Sequence, residues 1–476
     1  MEATGVYWLP LYGVLEAAGF EVRMVNGRQY TPVASIATDR TSCDFNQSRS
    51  AFVDVGSEHM HVSVAGDEPA VFGTVTSQLH ALRDWLKAQS VQSVAMEATG
   101  VYWLALYGVL EAAGMQVRMV NGRQTRNLPG RKTDMKDSQW GATLHMHGLL
   151  RAGFVPPADI RRLQDYLRLR ADHVASAASH VQHMQKALER MNVKLHDVIS
   201  SLAGMSGLSV VRAIVVGERS PQALLALCDQ QIRRAKAEQV VESLRGTWEV
   251  EHIFALAQAL HSWEHYQRQI QECDRQIEAV LPPHDPTQPA LPKPRTPKRA
   301  GVNSPDIPKL REILAQMCGG RDLTQLPAHT HYGVLQIVGE GGCDLSQWPT
   351  EKHFTAWMGV APGNHDSGKR KGHVKRGRNR AGRLFCLMAR SLVRSKDIAL
   401  GGFYRRMAAR RGGLIATMAL ARKLAAWYWR VMVKGDAYIE KGLADYDAQV
   451  LRTKQRALTR LAKELGQQLV PIAAPS

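Results

Sequence analysis

Between Phe52 and Leu149 the apolar residues switch repeatedly between a period of two and a period near 3.6, and that alternation restricts the segment to a sheet flanked by helices. Phe52–Gly56 and Met60–Ala65 are short apolar or alternating runs joined tightly, the pattern of a hairpin. Leu79, Leu82 and Leu86 predict a helix over Ser77–Gln89, and Ser93–Met96 reads as a short buried strand. A helix over Val101–Ala113, a strand over Gln116–Val120 and a helix from Asp134 to about Leu149 complete the series. A hairpin leading into β-α-β-α fits a mixed sheet, so the front domain, 51–155, is α/β.

The chain then changes character. Ile160, Leu163, Leu167, Val174, Val181, Leu188, Leu195 and Leu202 step by threes, fours and sevens, and Ile253, Leu256, Leu260, Trp263, Ile270, Ile277 and Val280 do the same. Two long helices with an interrupted middle predict an antiparallel coiled-coil hairpin over 156–281. Such an insert serves dimerisation, spans a nucleic acid or packs on its own domain. Nine of the 21 prolines fall in 282–308, among Lys and Arg, which blocks helix and ladder and predicts an extended linker over 282–309. A mainly helical domain follows over 310–470.

Sixty-one Lys and Arg against 43 Asp and Glu leave a net charge of +18, which points to a polyanionic partner. Neither a membrane span nor a secretory signal is visible, so the protein is expected in the cytoplasm. Six scattered cysteines without a CxxC pair give no disulfide framework and no zinc ribbon.

Four acids in the α/β domain stand out. Asp54 lies inside the apolar strand FVDVG, where an unpaired carboxylate costs on the order of several kcal/mol. Glu97 ends the strand SVAME, and Asp134 and Asp137 sit three apart at a helix start, on one face. Carboxylates converging there repel unless a hard cation such as Mg²⁺ neutralises them. The same spacing also suits a plain N-cap at Asp134, a solvated Asp137 and a turn residue at Glu97; Asp54 fits no such reading. In the back half, Lys369, Arg370, Lys371, Lys375, Arg376, Arg378, Arg380 and Arg383 form a basic run with glycines at 363, 368, 372 and 377, and no acid separates Asp366 from Asp397. A loop of this kind tracks phosphates, with a log–log salt slope of roughly −0.9 per neutralised phosphate on duplex DNA. Ser367, beside Gly368 and Lys369, is either a turn residue or a hydroxyl placed to attack a phosphodiester.

The ordered motifs FVDVG, MEATGVYW, RKTDMKDSQW, GLLRAGFVPP, DLTQLP, EKHFTAWMGVAPGN, SGK and ARKLAAWYW resemble those of the DEDD-type insertion-sequence transposases, over about residues 50–470. The resemblance implies a RuvC-like, RNase H-like N-terminal domain and a separate C-terminal transposase domain. It implies Asp54, Glu97, Asp134 and Asp137 as the Mg²⁺-binding tetrad and Ser367 as the nucleophile that forms a transient phosphoserine link to DNA. It further implies a structured noncoding guide RNA pairing with donor and target DNA, and coiled-coil dimers assembling into a tetramer with composite sites. Two rivals are a metal-dependent junction nuclease, in which Ser367 is only a loop residue, and a non-catalytic nucleic-acid-binding protein.

One departure from that family's pattern is the start of the chain. Residues 1–29 repeat 96–124 with an offset of 95, differing only at Pro10/Ala105, Phe20/Met115 and Glu21/Gln116. Glu2 is thus a decoy of Glu97, and 1–50 reads as an appendage from a recent duplication, able to compete with 96–124 for its place in the sheet. Removing residues 1–50 is expected to leave transposition intact in a donor-excision assay. Abolished excision in the truncated protein refutes the appendage reading.

Overall fold

The computed structural model describes residues 49–98, 100–122, 134–293, 301, 303–362, 377–395, 400–435 and 437–468. The appendage up to residue 48 therefore lies outside the described residues, as do Ser367 and the basic residues 369–376. The chain divides into two compact units, one ending at Val155 and one beginning at Pro156.

In the first unit the elements run β1 (Arg49–Val55), β2 (His59–Val64), β3 (Ala70–Gly73), α1 (Thr76–Ala88), β4 (Val91–Ala98), α2 (Trp103–Ala112), β5 (Gln116–Val120), α3 (Asp134–Met146) and β6 (Ala152–Gly153). The six strands form one sheet in the order β3-β2-β1-β4-β5-β6. Pairing is antiparallel across β3-β2-β1, parallel across β1-β4-β5, and antiparallel again at β6. The mixed sheet with its helices is compatible with an RNase H-like domain followed by a helical C-terminal half.

Alternation along the strands gives the sheet two apolar faces. On one, Ala51, Val53, Val55, Val94 and Met96 pack beneath Leu79, Leu82 and Leu86 of α1 and Leu106 and Leu110 of α2. On the other, Phe52, Ala95 and Val120 meet Ala142 of α3 and Leu150. The buried stripe of α3 is Ser138, Gly141, Ala142 and His145, all small except the last, so the helix lies close to the strands. At Gly141 a Cβ would stand 2.5 Å from the Phe52 ring. Any side chain there lifts the helix.

In the second unit α4 (Ala158–Arg190) and α9 (Val250–Val280) lie side by side. They run antiparallel, since Arg170 meets Asp274 whereas His180, further along α4, meets Tyr266. Leu195 and Leu202, expected to continue the first helix, fall beyond it: α4 stops at Arg190, and Asn192 turns the chain with a φ of 55°. Between the long helices come α5 (Leu195–Val198), α6 (Met205–Val215), α7 (Pro221–Ala226) and α8 (Gln230–Ser243), which share a core with one end of the pair through Met184, Leu188, Val211, Ile214, Leu256 and Leu260.

The helices of the C-terminal part are α10 (Leu310–Met317), α11 (His331–Gly341), α12 (Glu351–Trp357), α13 (Arg380–Ser391), α14 (Leu400–Arg411), α15 (Gly413–Lys434) and α16 (Ala437–Glu464). Helix α15 carries the core, with Ala416, Leu420, Leu424, Tyr428 and Trp429 buried. The proline-rich stretch is not free where it is described: Arg311 donates to the Pro292 carbonyl at 2.5 Å and Gln316 accepts from the Asp285 amide at 3.1 Å. Buried Arg170 of α4 ties three elements together, donating to Asp274 of α9 at 2.5 Å, to the Asn303 carbonyl at 2.9 Å and to the Tyr332 hydroxyl of α11 at 3.1 Å. Among the described residues no helix is long and apolar enough to cross a membrane.

Gly141→Ala is expected to lower unfolding stability by about 1–3 kcal/mol, the range for an overpacked core. Urea denaturation of the full chain measures it, and an unchanged midpoint would show that α3 does not rest on Phe52.

Candidate active site

The site is built from the carboxyl ends of the two central strands. Asp54 follows Val53 and precedes Val55, both on the opposite, fully apolar face, so alternation turns Asp54 toward α3. Parallel register pairs Asp54 with Glu97, placing both acids on that same face on strands about 4.8 Å apart. Both are half-buried. The carboxylate of Glu97 lies across the end of β5, because a Cβ on Gly122 would stand 1.8 Å from its Oε1. Glycine at 122 is what admits the acid there.

Helix α3 supplies the other side. Gly141 rests on Phe52, and one turn later His145 Nε2 lies 2.9 Å from Ser93 Oγ, buried beneath the amino-terminal half of β4. Since Phe52 pairs with Ala95, these two anchors show that α3 runs antiparallel to β1 and β4. One turn in the other direction is about 6 Å, which matches the roughly 6.6 Å from Phe52 to Asp54 along the strand. Asp137, half-buried, therefore falls at the level of Asp54 and Glu97. Asp134 opens the helix, and its side chain lies outside the described residues. Asp54, Glu97 and Asp137 each engage neighbouring groups in the fold.

These three acids share one face and one end of the sheet, but among the described residues they do not by themselves close to within 4.8 Å of one another. That spacing is met elsewhere, by Glu189, His196 and Asp197. There Lys194 already pairs with Glu189, and His196 Nε2 lies 2.8 Å from Glu189 Oε1. Two exposed acids gathered around His196, one of them already on Lys194, are a surface ion-pair network, not the expected tetrad.

Two neighbours of the acids are invisible to motif reasoning. Antiparallel register places half-buried His61 beside Asp54 on the α3 face, with the alternation Met60-His61-Val62 as its one signal in the sequence. His145 is the other. Burial, with the charge of Arg118 adding to it, lowers its pKa to about 4, although the Ser93 contact opposes the shift. The ring is therefore a neutral anchor for α3 at physiological pH.

In the C-terminal part, residues 363–376, with Ser367, Lys369, Arg370, Lys371, Lys375 and Arg376, lie outside the described residues. The stem of that segment is tightly drawn. A Cβ on Gly359, at a φ of 72°, would stand 2.5 Å from the Gly377 carbonyl oxygen, and one on Gly382 would stand 2.2 Å from that of Met358. Asn379 caps α13, accepting from the Gly382 amide at 2.8 Å and donating to the Trp357 carbonyl at 3.3 Å. Gly359 and Gly377, on either side of residues 363–376, thus lie against each other. Of the basic residues at the exit, Arg383 is exposed, Arg378 leans on Cys386, and Arg380 stands 4.0 Å from Glu340.

Two family models match the sequence in this order. A transposase model of the DEDD IS110 type spans residues 53–193, the sheet and its helices with α4, and one described as the transposase IS116/IS110/IS902 family spans 321–405, the helices around the basic segment. Together they define a DNA transposase, an enzyme of DNA transposition and recombination. The chain belongs to the IS110-type insertion-sequence transposases. No curated protein matches it.

The folded-state pKa of His145 lies below the ordinary value of 6.5, so as pH falls the unfolded chain takes up this proton first. Its contribution to stability is complete above pH 6.5 and is lost as pH falls to about 4, on the order of 3 kcal/mol in all. Urea titrations across that range should show a steeper fall for the parent than for His145→Gln, which keeps a polar partner for Ser93. Parallel curves would contradict the assignment.

Proposed function

We propose that this transposase excises and inserts its element by strand exchange, using Mg²⁺ held by Asp54, Glu97, Asp134 and Asp137 and the hydroxyl of Ser367 as nucleophile. The observation that carries the reading is the in-register pair Asp54–Glu97 facing the first turn of α3. The four acids offer oxygen donors, a set suited to a hard divalent ion, and Gly122 leaves the room that Glu97 needs. When bound, the ion would supply Lewis-acid stabilisation of charge at the phosphodiester.

The rest falls to the chain. Strands β1 and β4 fix two carboxylates on a rigid sheet, and α3, seated by Gly141 and His145, fixes the level of the other two. The amino end of α3 points toward that acidic end, and its dipole favours negative charge there. In the back half Ser367 gives up its proton and its oxygen attacks phosphorus, while the displaced DNA oxygen leaves with a proton. The phosphodiester is conserved as a phosphoserine, and the reverse attack by a DNA hydroxyl reseals a strand without ATP. Lys369, Arg370, Lys371, Lys375, Arg376, Arg378, Arg380 and Arg383 hold the phosphates on either side. The reading includes a structured guide RNA that selects donor and target, and dimers formed through the α4–α9 pair that assemble into a tetramer with composite sites.

A junction nuclease is the competing reading, and Ser367→Ala separates the two. With element-end DNA, Mg²⁺ and RNA transcribed from the element's own end, the parent should give a covalent protein–DNA adduct on denaturing gels. The adduct should vanish in Ser367→Ala, and strand cleavage should fall at least about 100-fold in Asp54→Asn. Undiminished cleavage by Ser367→Ala would move the assignment to a nuclease.

A further inference from the structure

Two cysteines that the sequence leaves unconnected meet in the second unit. Cys318 caps the carboxyl end of α10 and Cys343 follows α11, and their Sγ atoms lie 3.8 Å apart across 25 residues of chain. Cys318 is enclosed, whereas Cys343 is half-buried. Both attach beyond helix ends, next to glycines at positive φ, Gly319 at 67° and Gly342 at 72°, so neither is held inside a regular helix. A disulfide needs an S–S separation of about 2.0 Å, and side-chain rotation at two such end positions can supply the closure.

The surroundings set the order of attack. Sharing of the thiol hydrogen from Cys318 lowers the pKa of Cys343, while the same contact and burial raise that of Cys318. The half-buried sulfur is thus the better thiolate as well as the accessible one. Next to the pair is the ring of Tyr428, fully buried, its hydroxyl without a hydrogen-bond partner among the described residues and its ionisation opposed by burial first and then by both thiols. Neither cysteine belongs to the acidic site or to the basic segment.

We propose that Cys318 and Cys343 form a redox-modifiable pair that a low-molecular-weight disulfide of the glutathione type converts to an intramolecular cystine. The Cys343 thiolate attacks one sulfur of glutathione disulfide, forming a mixed disulfide and releasing one glutathione thiolate. Cys318 then loses its proton and attacks Cys343 Sγ, releasing the second glutathione. Two protein thiols are oxidised and one glutathione disulfide is reduced to two thiols, so atoms and electrons balance. The bridge would fasten the end of α10 to the end of α11. It would lie three residues beyond Glu340, which accepts from Arg168 at 2.8 Å and from Gln164 at 3.2 Å and stands 4.0 Å from Arg380 at the stem of the basic segment. Oxidation would thus brace the support of that segment.

The full-length protein, incubated with glutathione disulfide, blocked with N-ethylmaleimide and digested, is read by peptide mass spectrometry. The expected product joins the Cys318 and Cys343 peptides, lighter by two hydrogens than the reduced pair and reversed by dithiothreitol, with a melting temperature raised by a few degrees. Cys318→Ser should trap glutathione on Cys343, and Cys343→Ser should leave Cys318 unmodified. If the parent protein carries glutathione on Cys343 without the bridge, or alkylation finds both thiols reduced, the proposal is overturned.

Discussion

Everything proposed for the front half depends on how closely α3 lies on the sheet. A helix carrying ordinary side chains on its buried stripe would stand off from the strands; here the stripe is Ser138, Gly141 and Ala142, and the Phe52 ring fills the space that a Cβ at 141 would take. His145 and Ser93 fix the far end of the helix with a buried contact of 2.9 Å. Two points on a rigid rod set its tilt and its level together, and the level is what brings the first turn of α3 to the acids of β1 and β4. Packing and the placement of the acids are therefore one constraint, in which the apolar contact at Phe52 sets where Asp137 stands relative to Asp54.

The second unit relies on polar anchors inside an apolar core. Arg170 is almost fully enclosed, and its guanidinium is satisfied by Asp274, the Asn303 carbonyl and the Tyr332 hydroxyl, with the Tyr332 ring 5.0 Å beneath it. Such a network contributes less to net stability than to uniqueness, because a buried guanidinium tolerates few other arrangements. Leu167 meets Gly339 nearby, and Glu340 binds Arg168 and Gln164, so α4 and α11 are held at several successive points. Arg380, just after the point where the chain is described again beyond residue 376, stands 4.0 Å from that same Glu340.

Much of this was legible in the residues themselves. The strand Gln116–Val120 is observed with the expected bounds, α1 and the second hairpin strand differ by one residue at each end, and β1 starts three residues earlier than expected, because apolar periodicities are local signals. The two-residue β6 and four-residue β3 were not legible, being too short to show a period. Nor was the end of α4 at Arg190, since Leu195 and Leu202 keep the heptad spacing after the helix has stopped. Asp54 was conspicuous for its apolar neighbours. By contrast, Gly122, Gly141, His61 and the Cys318–Cys343 contact matter only through what tertiary structure brings against them. A glycine's purpose is the group that approaches it, and no spacing encodes that.

The account is tested most directly by asking where on the chain a divalent ion binds. Fe²⁺ substituted for Mg²⁺ generates hydroxyl radicals at its own site, and the backbone cuts can be mapped on the full-length protein. The account predicts cuts clustered around residues 54, 97, 122 and 134–137, suppressed by excess Mg²⁺ and absent from Asp54→Asn. Cuts confined to the neighbourhood of Glu189, His196 and Asp197, or none that Mg²⁺ suppresses, would contradict it.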